Sequence, residues 1–250
     1  MAKSIEEKVE GLAKKELERG NCKIYLKTES INEEIEKALK EYPSKQGKNG
    51  RNNPDIKLFI VTKKMRKIPV MIEVKGTKGD FIKLNKNNEI DNIKKDGNIN
   101  YTNIQKYAVN GAVHYANAIL DFTNSYNEVI AIGINGYEEL GKVKIELGVY
   151  YISKENLKIP KKIGEFSDLT FLYEKNIDEL IEKINILSLT DKEKENKERE
   201  FENLIEESLK KLNQKMQDDL EISVGSRVEL ITGMIMAGLG VDRKVAPLEI

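Results

Sequence analysis

Two dense apolar runs, DIKLFIVT from Asp55 and PVMIEVKG from Pro69, flank the polar link KKMRKI, and no other feature constrains the fold as strongly. This is the pattern of a β-hairpin, and the apolar density of both runs predicts central strands. Side chains alternate along a strand, so Glu73 and Lys75 share one side while Val74 points to the other, into apolar packing. With the turn centred near Lys64 or Met65, Asp55 pairs across the ladder with a residue between 73 and 75, where opposed Cβ atoms lie about 5 Å apart. Asp55, Glu73 and Lys75 are therefore expected on one patch at the open end of the hairpin.

Two carboxylates that close repel each other unless one is protonated or a cation lies between them. Mg²⁺ fits the second case, because it favours oxygen ligands and usually takes one or two carboxylates, leaving waters and phosphate for the rest; Mn²⁺ is the expected substitute. The peptide carbonyl of Val74 is a further candidate ligand. A lysine beside such an ion can orient an attacking water and help deprotonate it, while the ion neutralises charge on a phosphoryl oxygen. The predicted chemistry is hydrolysis of a phosphodiester.

The flanking segments predict a mixed α/β sheet packed by helices. Two helices precede the hairpin, separated by the connection NCKIYLKTES. The second starts at Ile31 with Ser30 as its cap and carries Ile31, Ile35, Ala38 and Leu39 on one stripe. Glu33 falls opposite that stripe and Glu34 on its margin, so Glu34, chosen over Glu33 and Glu36, is the carboxylate expected to face the site. PSKQGKNGRNNP reads as a loop, and 77–100 as an exposed excursion. One long amphipathic helix is predicted from about Thr102 to Phe122. NEVIAIGI and KVKIELGVYYIS form a second strand pair with an Asn-Gly turn signal in the link NGYEELG. The strands stop near residue 174. From Asp191 to Glu221 the chain carries 11 acidic and 7 basic residues and reads as a solvated helix. SRVELITGMIMAGLG follows as an apolar helix with Ser226 as cap, suited to packing on further structure. The expected division is a domain over 1–190 and a helical connector, or the start of a further helical domain, over 191–250.

Composition excludes several function classes. The 42 basic and 42 acidic residues cancel, which rules out a simple polycation, yet residues 43–79 hold ten Lys or Arg against two acidic residues, an arrangement that attracts phosphates. One Cys and one His cannot make a disulfide or a four-ligand zinc site from these residue types. No apolar run is long enough to span a membrane and the N-terminus is unlike a signal peptide, so a cytoplasmic chain is expected. Walker A, HExxH and GxSxG signatures are absent. His114, on the flank of the long helix, reads as a hydrogen-bonded structural residue.

Pro54, Asp55, Glu73, Val74 and Lys75 resemble the signature of the PD-(D/E)xK nuclease superfamily. The resemblance implies an α-β-β-β-α-β core, a restriction-endonuclease-like mixed sheet flanked by helices, with a helical C-terminal extension here. It also implies an acidic residue from the preceding helix, a role Glu34 matches, and a polar helper at Gln105, although Val109 replaces the Tyr of the strict Gln-x-x-x-Tyr version. Over roughly residues 30–240, including SVGSRVELITGMIMAGLG, the chain is similar to the N-terminal cleavage region of fused type IIG restriction-modification enzymes of the N6-adenine methyltransferase kind. That likeness implies a Mg²⁺-dependent endonuclease acting on double-stranded DNA. The methyltransferase and target-recognition domains would lie in the same or a partner chain, S-adenosylmethionine would be used only through a downstream domain, and a homodimer would form on DNA. No Asn/Asp-Pro-Pro-aromatic tetrapeptide is present, so this chain is not expected to methylate DNA. A repair or junction-resolving nuclease and a non-catalytic DNA-binding or assembly module remain the alternatives.

Overall fold

The computed structural model describes residues 4–47, 50–188, 190–218 and 223–239. Helix α1 (Ile5–Arg19) opens with a reciprocal capping box, in which Ser4 Oγ accepts from Glu7 N and Glu7 Oε2 accepts from Ser4 N. Strand β1 (Ile24–Leu26) follows within the segment expected to be a plain connection; three residues are too few to show a period. Helix α2 (Glu33–Glu41) starts later than predicted, because Asn32 rather than Ser30 is its cap and accepts from Ile35 N at 2.8 Å.

Strands β2 (Ile56–Val61) and β3 (Lys67–Lys75) are the predicted hairpin. Helices α3 (Tyr101–Lys106) and α4 (Ala108–Phe122) then lead to β4 (Glu128–Glu139), β5 (Lys142–Ser153) and β6 (Lys161–Gly164). The six strands form one mixed sheet in sequence order, antiparallel except where β4 lies parallel to β3. A parallel pair cannot be closed by a tight turn, so α3 and α4 form its crossover. Alternation along β3 decides what each face receives. Val70, Ile72 and Val74 enter a core shared with α1 and with Leu180 and Ile184 of α5 (Ile177–Ile186), whereas Met71 enters the core under α2 and α4. Glu73 and Lys75 follow Met71 onto the α2/α4 side. On β2, Ile56, Leu58 and Ile60 take the first face, leaving Asp55 and Lys57 on the second with Phe59.

The helix expected over 102–122 is two helices. Tyr107 is extended (φ −104°, ψ 135°), and the first amides of α4 are satisfied from outside, Ala108 N donating to Asp80 O at 2.9 Å and Val109 N to Phe81 O at 3.0 Å. Carbonyls of the 77–100 segment thus replace the preceding helical turn. That segment is less of a free excursion than predicted. Its middle is exposed, but Phe81, Ile82 and Ile90 pack under α4, and buried Asn92 exchanges hydrogen bonds with Asn110, its Nδ2 donating to Asn110 O and its Oδ1 accepting from Asn110 Nδ2. The β4–β5 turn also falls later than its Asn-Gly signal. Asn135 and Gly136 are inside β4, and Leu140 (φ 51°) and Gly141 (φ 74°) make the turn.

The chain divides into two compact units, Met1–Ser188 and Leu189–Ile250. Within the second, α6 (Asp191–Asp218) is exposed over most of its described length and carries an i,i+4 pair between Glu206 and Lys210. Helix α7 (Val224–Leu239) starts after Ser223, whose Oγ accepts from Ser226 N, so Ser226 lies inside the helix rather than capping it. The side chains of 234–239 and everything from 240 onward, which include most of the apolar GMIMAGLG, lie outside the described residues.

Two glycine substitutions should move stability in opposite directions. A Cβ on Gly133 would lie 2.4 Å from Val109 N, a backbone atom, so Gly133→Ala is expected to cost about 1–3 kcal/mol. Gly11, inside α1, meets nothing within 4 Å, and Gly11→Ala should add about 0.5–1 kcal/mol. Urea denaturation of both variants reads the two signs.

Candidate active site

Pairing of Ile56 with Ile72 through Val61 with Lys67 centres the hairpin on Lys64 and continues past β2 to set Asp55 opposite Glu73. Met65 occupies the turn with φ 60° and donates its N–H to Thr62 O at 2.8 Å. The open end therefore gathers Asp55, Glu73 and Lys75, as the alternation argument requires.

Glu73 is only 1% exposed. Its Oε1 accepts from Lys75 Nζ at 2.6 Å and from Lys45 Nζ at 2.7 Å, and its Oε2 accepts from the buried hydroxyl of Tyr115 at 3.0 Å. Burial pushes this carboxyl up, but the two ammoniums more than reverse the effect and hold it below the ordinary value. Lys75 is the mirror case: burial works against its charge, Glu73 wins, and its pKa is raised. Asp55 has weaker support. Its Oδ2 accepts from Val74 N at 2.6 Å, while the buried Oδ1 has no hydrogen bond of normal geometry and only the ammonium of Lys27 beside it as an ion pair. Burial first, and the charge of Glu73 second, raise Asp55 to about 6.

Beside the cluster opens a cavity of ≈ 640 Å³ lined by Lys27, Thr28, Lys45, Gln46, Arg51 and Asn53. Glu36 holds one wall in place. It pairs with Arg51, and its Oε1 accepts from Lys57 Nζ at 2.8 Å. Lys57 is almost completely buried, also donates to Glu29 O, and is pulled down to about 8 by burial and then by the charge of Arg51.

This arrangement suits a hard divalent ion. The protein offers two carboxylates, the number Mg²⁺ commonly takes, and Asp55 Oδ1 and Glu73 Oε1 are already met by positive charge, from Lys27 and from Lys45 and Lys75. A strand residue sends its N–H and C=O to the same side, so the Val74 carbonyl faces the Asp55 edge as its N–H does. Among the described residues no group of three or more His, Cys, Asp or Glu side chains gathers around a metal position, so the remaining ligands would come from water and substrate.

Over 87 residues the chain is 42% identical to the type II restriction enzyme and methyltransferase RM.BcgI of Heyndrickxia coagulans. The match covers 35% of this chain and 12% of that much longer protein. No protein-family model matches the chain, and no solved structure gives a significant match. Among the described residues no helix is long and apolar enough to cross a membrane.

Not every predicted site residue joins the cluster. Glu34 Oε1 instead accepts from Asn124 N and Ser125 N, both at 3.0 Å, beyond the end of α4. At 100° per residue Glu34 and Glu36 flank the buried Ile35 on opposite margins of α2, and the margin facing the sheet residue Lys57 is that of Glu36. Gln105 does not touch either carboxylate; its Nε2 donates to Lys45 O at 3.0 Å, so it reaches the site through Lys45. Lys27, Lys45 and Tyr115 join the cluster without a signal in the local sequence. Tyr115 lies on the apolar stripe of α4 and reads as core, and nothing local distinguishes Lys45 from the other bases of its loop.

His114 is the structural residue its position predicted. It is 2% exposed, and Nε2 lies 2.8 Å from Pro43 O; a carbonyl only accepts, so the ring carries its proton there. Burial lowers its pKa to about 4. The unfolded chain therefore binds the extra proton first as pH falls. Stability from this group is complete above about pH 6.5 and is lost towards pH 4, worth about 3 kcal/mol in total. The raised Asp55 has the opposite slope over about pH 4–6. The stability difference between wild type and His114→Gln isolates the histidine. It should shrink as pH drops from 7 to 4.5, and urea midpoints measured across that range would show it.

Proposed function

We propose that the chain is a Mg²⁺-dependent DNA endonuclease domain of the PD-(D/E)xK type, acting as the cleavage part of a restriction-modification enzyme. The observation that carries this reading is the cluster of buried Asp55 and Glu73 with half-buried Lys75 at the open end of the β2–β3 hairpin, beside a cavity lined by Lys27, Lys45 and Arg51. The likeness to a type II restriction enzyme and methyltransferase supports it.

Asp55, Glu73 and the Val74 carbonyl would hold Mg²⁺, or Mn²⁺ in its place. When bound, such an ion supplies charge neutralisation at a phosphoryl oxygen and makes a coordinated water more acidic. In the metal-free protein Lys75 is an ammonium beside Glu73, and from that position it would donate hydrogen bonds that orient the attacking water and the phosphoryl oxygen. Tyr115 fixes the Glu73 carboxylate from its other oxygen, which keeps the ligand geometry set in advance. The substrate in this reading is double-stranded DNA. Methyltransferase and target-recognition parts, in the same or a partner chain, bring S-adenosylmethionine and sequence choice, and two copies on DNA cut both strands.

The test is Mg²⁺-dependent cleavage of DNA by the purified chain, alone and with those methyltransferase and target-recognition parts. Asp55→Asn should abolish cutting, and Lys75→Met should slow it by about a hundred- to a thousandfold. Thermal melts should show both variants folded. A folded Asp55→Asn protein that still cuts at the wild-type rate would sink the assignment.

A further inference from the structure

Three ammonium groups attend two carboxylates in this site. Lys27 sits on Asp55, while Lys45 and Lys75 share a single oxygen of Glu73. Lys75 belongs to the same strand as Glu73, so its position comes with the sheet. Lys45 comes from the loop after α2, and its backbone is clamped at both ends. Its N–H donates to Asn52 Oδ1 at 2.9 Å, and its carbonyl accepts from Gln105 Nε2 at 3.0 Å. Asn52 is itself fully buried and donates to the carbonyls of Tyr42 and Pro43. The Lys45 ammonium also lies 5.4 Å from the centre of the Tyr115 ring. With the main chain pinned, the flexible stem of the lysine is the part able to move, and it borders the same cavity as Lys27 and Arg51.

Two carboxylates and three ammoniums sum to one positive charge. A divalent ion on the same carboxylates would make that sum +3 within a few ångströms, a strongly repulsive state unless an ammonium withdraws or an anion arrives. The phosphates of DNA are such anions, and the cavity wall is where they would meet the departing lysine.

Resting on the nuclease reading above, we propose that Lys45 is a stand-in cation. It neutralises Glu73 in the metal-free protein and swings into the cavity to contact a DNA phosphate when metal and DNA bind, so that each favours the other. Gln105 is then a positioning residue that aims Lys45. Lys45 has two roles with opposite signs: it competes with metal before DNA arrives and helps hold DNA afterwards.

Mn²⁺ binding to the whole chain, followed by the EPR signal of the free ion, separates these roles. Without DNA, Lys45→Met should bind Mn²⁺ about tenfold more tightly than wild type, within the ordinary range of coupling between two ligands. Lys45→Arg, which keeps the charge, should stay near wild type. Adding a duplex with non-cleavable phosphorothioate linkages should tighten Mn²⁺ binding to wild type and do so much less for Lys45→Met. Equal Mn²⁺ affinity in wild type and Lys45→Met, with binding lost in Glu73→Gln, would overturn the stand-in role while leaving the metal site intact. No Glu73-dependent Mn²⁺ binding in any variant, with or without duplex, would overturn both. Should Lys45→Met fail to fold, Gln105→Ala, which only releases the clamp, must give the same tightening without DNA or the proposal falls.

Discussion

Glu73 is an ionised carboxylate almost fully removed from water, and much of the first unit is arranged around that fact. Taking such a charge out of water costs several kcal/mol even after relaxation, so it persists only where opposite charge and hydrogen bonds meet it. Lys75 from β3, Lys45 from the loop after α2 and Tyr115 from α4 converge on its two oxygens from three different elements. The site therefore depends on the hairpin, the loop and the crossover helix being assembled together. Asp55, one strand away, receives less support and carries the cost as a raised pKa. Neighbouring carboxylates pushed in opposite directions are a frequent mark of sites built to do chemistry.

The close approach of α4 to β3 and β4 makes the Tyr115 contact possible, and it is achieved by leaving side chains out. A Cβ on Gly111 would stand 3.1 Å from Glu73 Cγ, and one on Gly133 would collide with the backbone of Val109. The same closeness explains why α3 and α4 are not one helix. The extended Tyr107 lets α4 start afresh over the sheet, and carbonyls of Asp80 and Phe81 cap its free amides. A stripe of apolar residues at helical spacing runs straight through that break, because spacing reports which face is buried and not whether the axis is continuous.

What was legible in the sequence was what strand alternation controls. The hairpin, a centre at Lys64 or Met65, the shared face of Asp55, Glu73 and Lys75 and the opposite orientation of Val74 all follow from a period of two and one turn, and the register selects Lys64. Two kinds of feature were not legible. Short edge strands such as β1 and β6 offer no period to detect. Contacts between distant segments were the other kind. Glu34 and Glu36 are equivalent by helical angle about Ile35, and only the placement of Lys57 beneath α2 distinguishes them. Lys45 reaches Glu73 across 28 positions, which no local pattern encodes.

Counting charge in a window also differs from locating a field. Of the ten basic residues in 43–79, several are tied to acids elsewhere in the fold: Arg51 and Lys57 to Glu36, Lys63 to Asp178, Arg66 to Glu128 and Lys78 to Glu139. Lys63 and Arg66 moreover sit at the closed end of the hairpin. Six strand residues at about 3.3 Å each separate them from Asp55 by about 20 Å, more than two Debye lengths at physiological salt. They do little for a phosphate at the open end. The two acids of that window are both buried in the cluster, and Lys27, Lys45 and Arg51 face the cavity beside them. The field at the open end is therefore set by the balance between these three cations and the acids they pair with, and not by the count of basic residues over the whole segment.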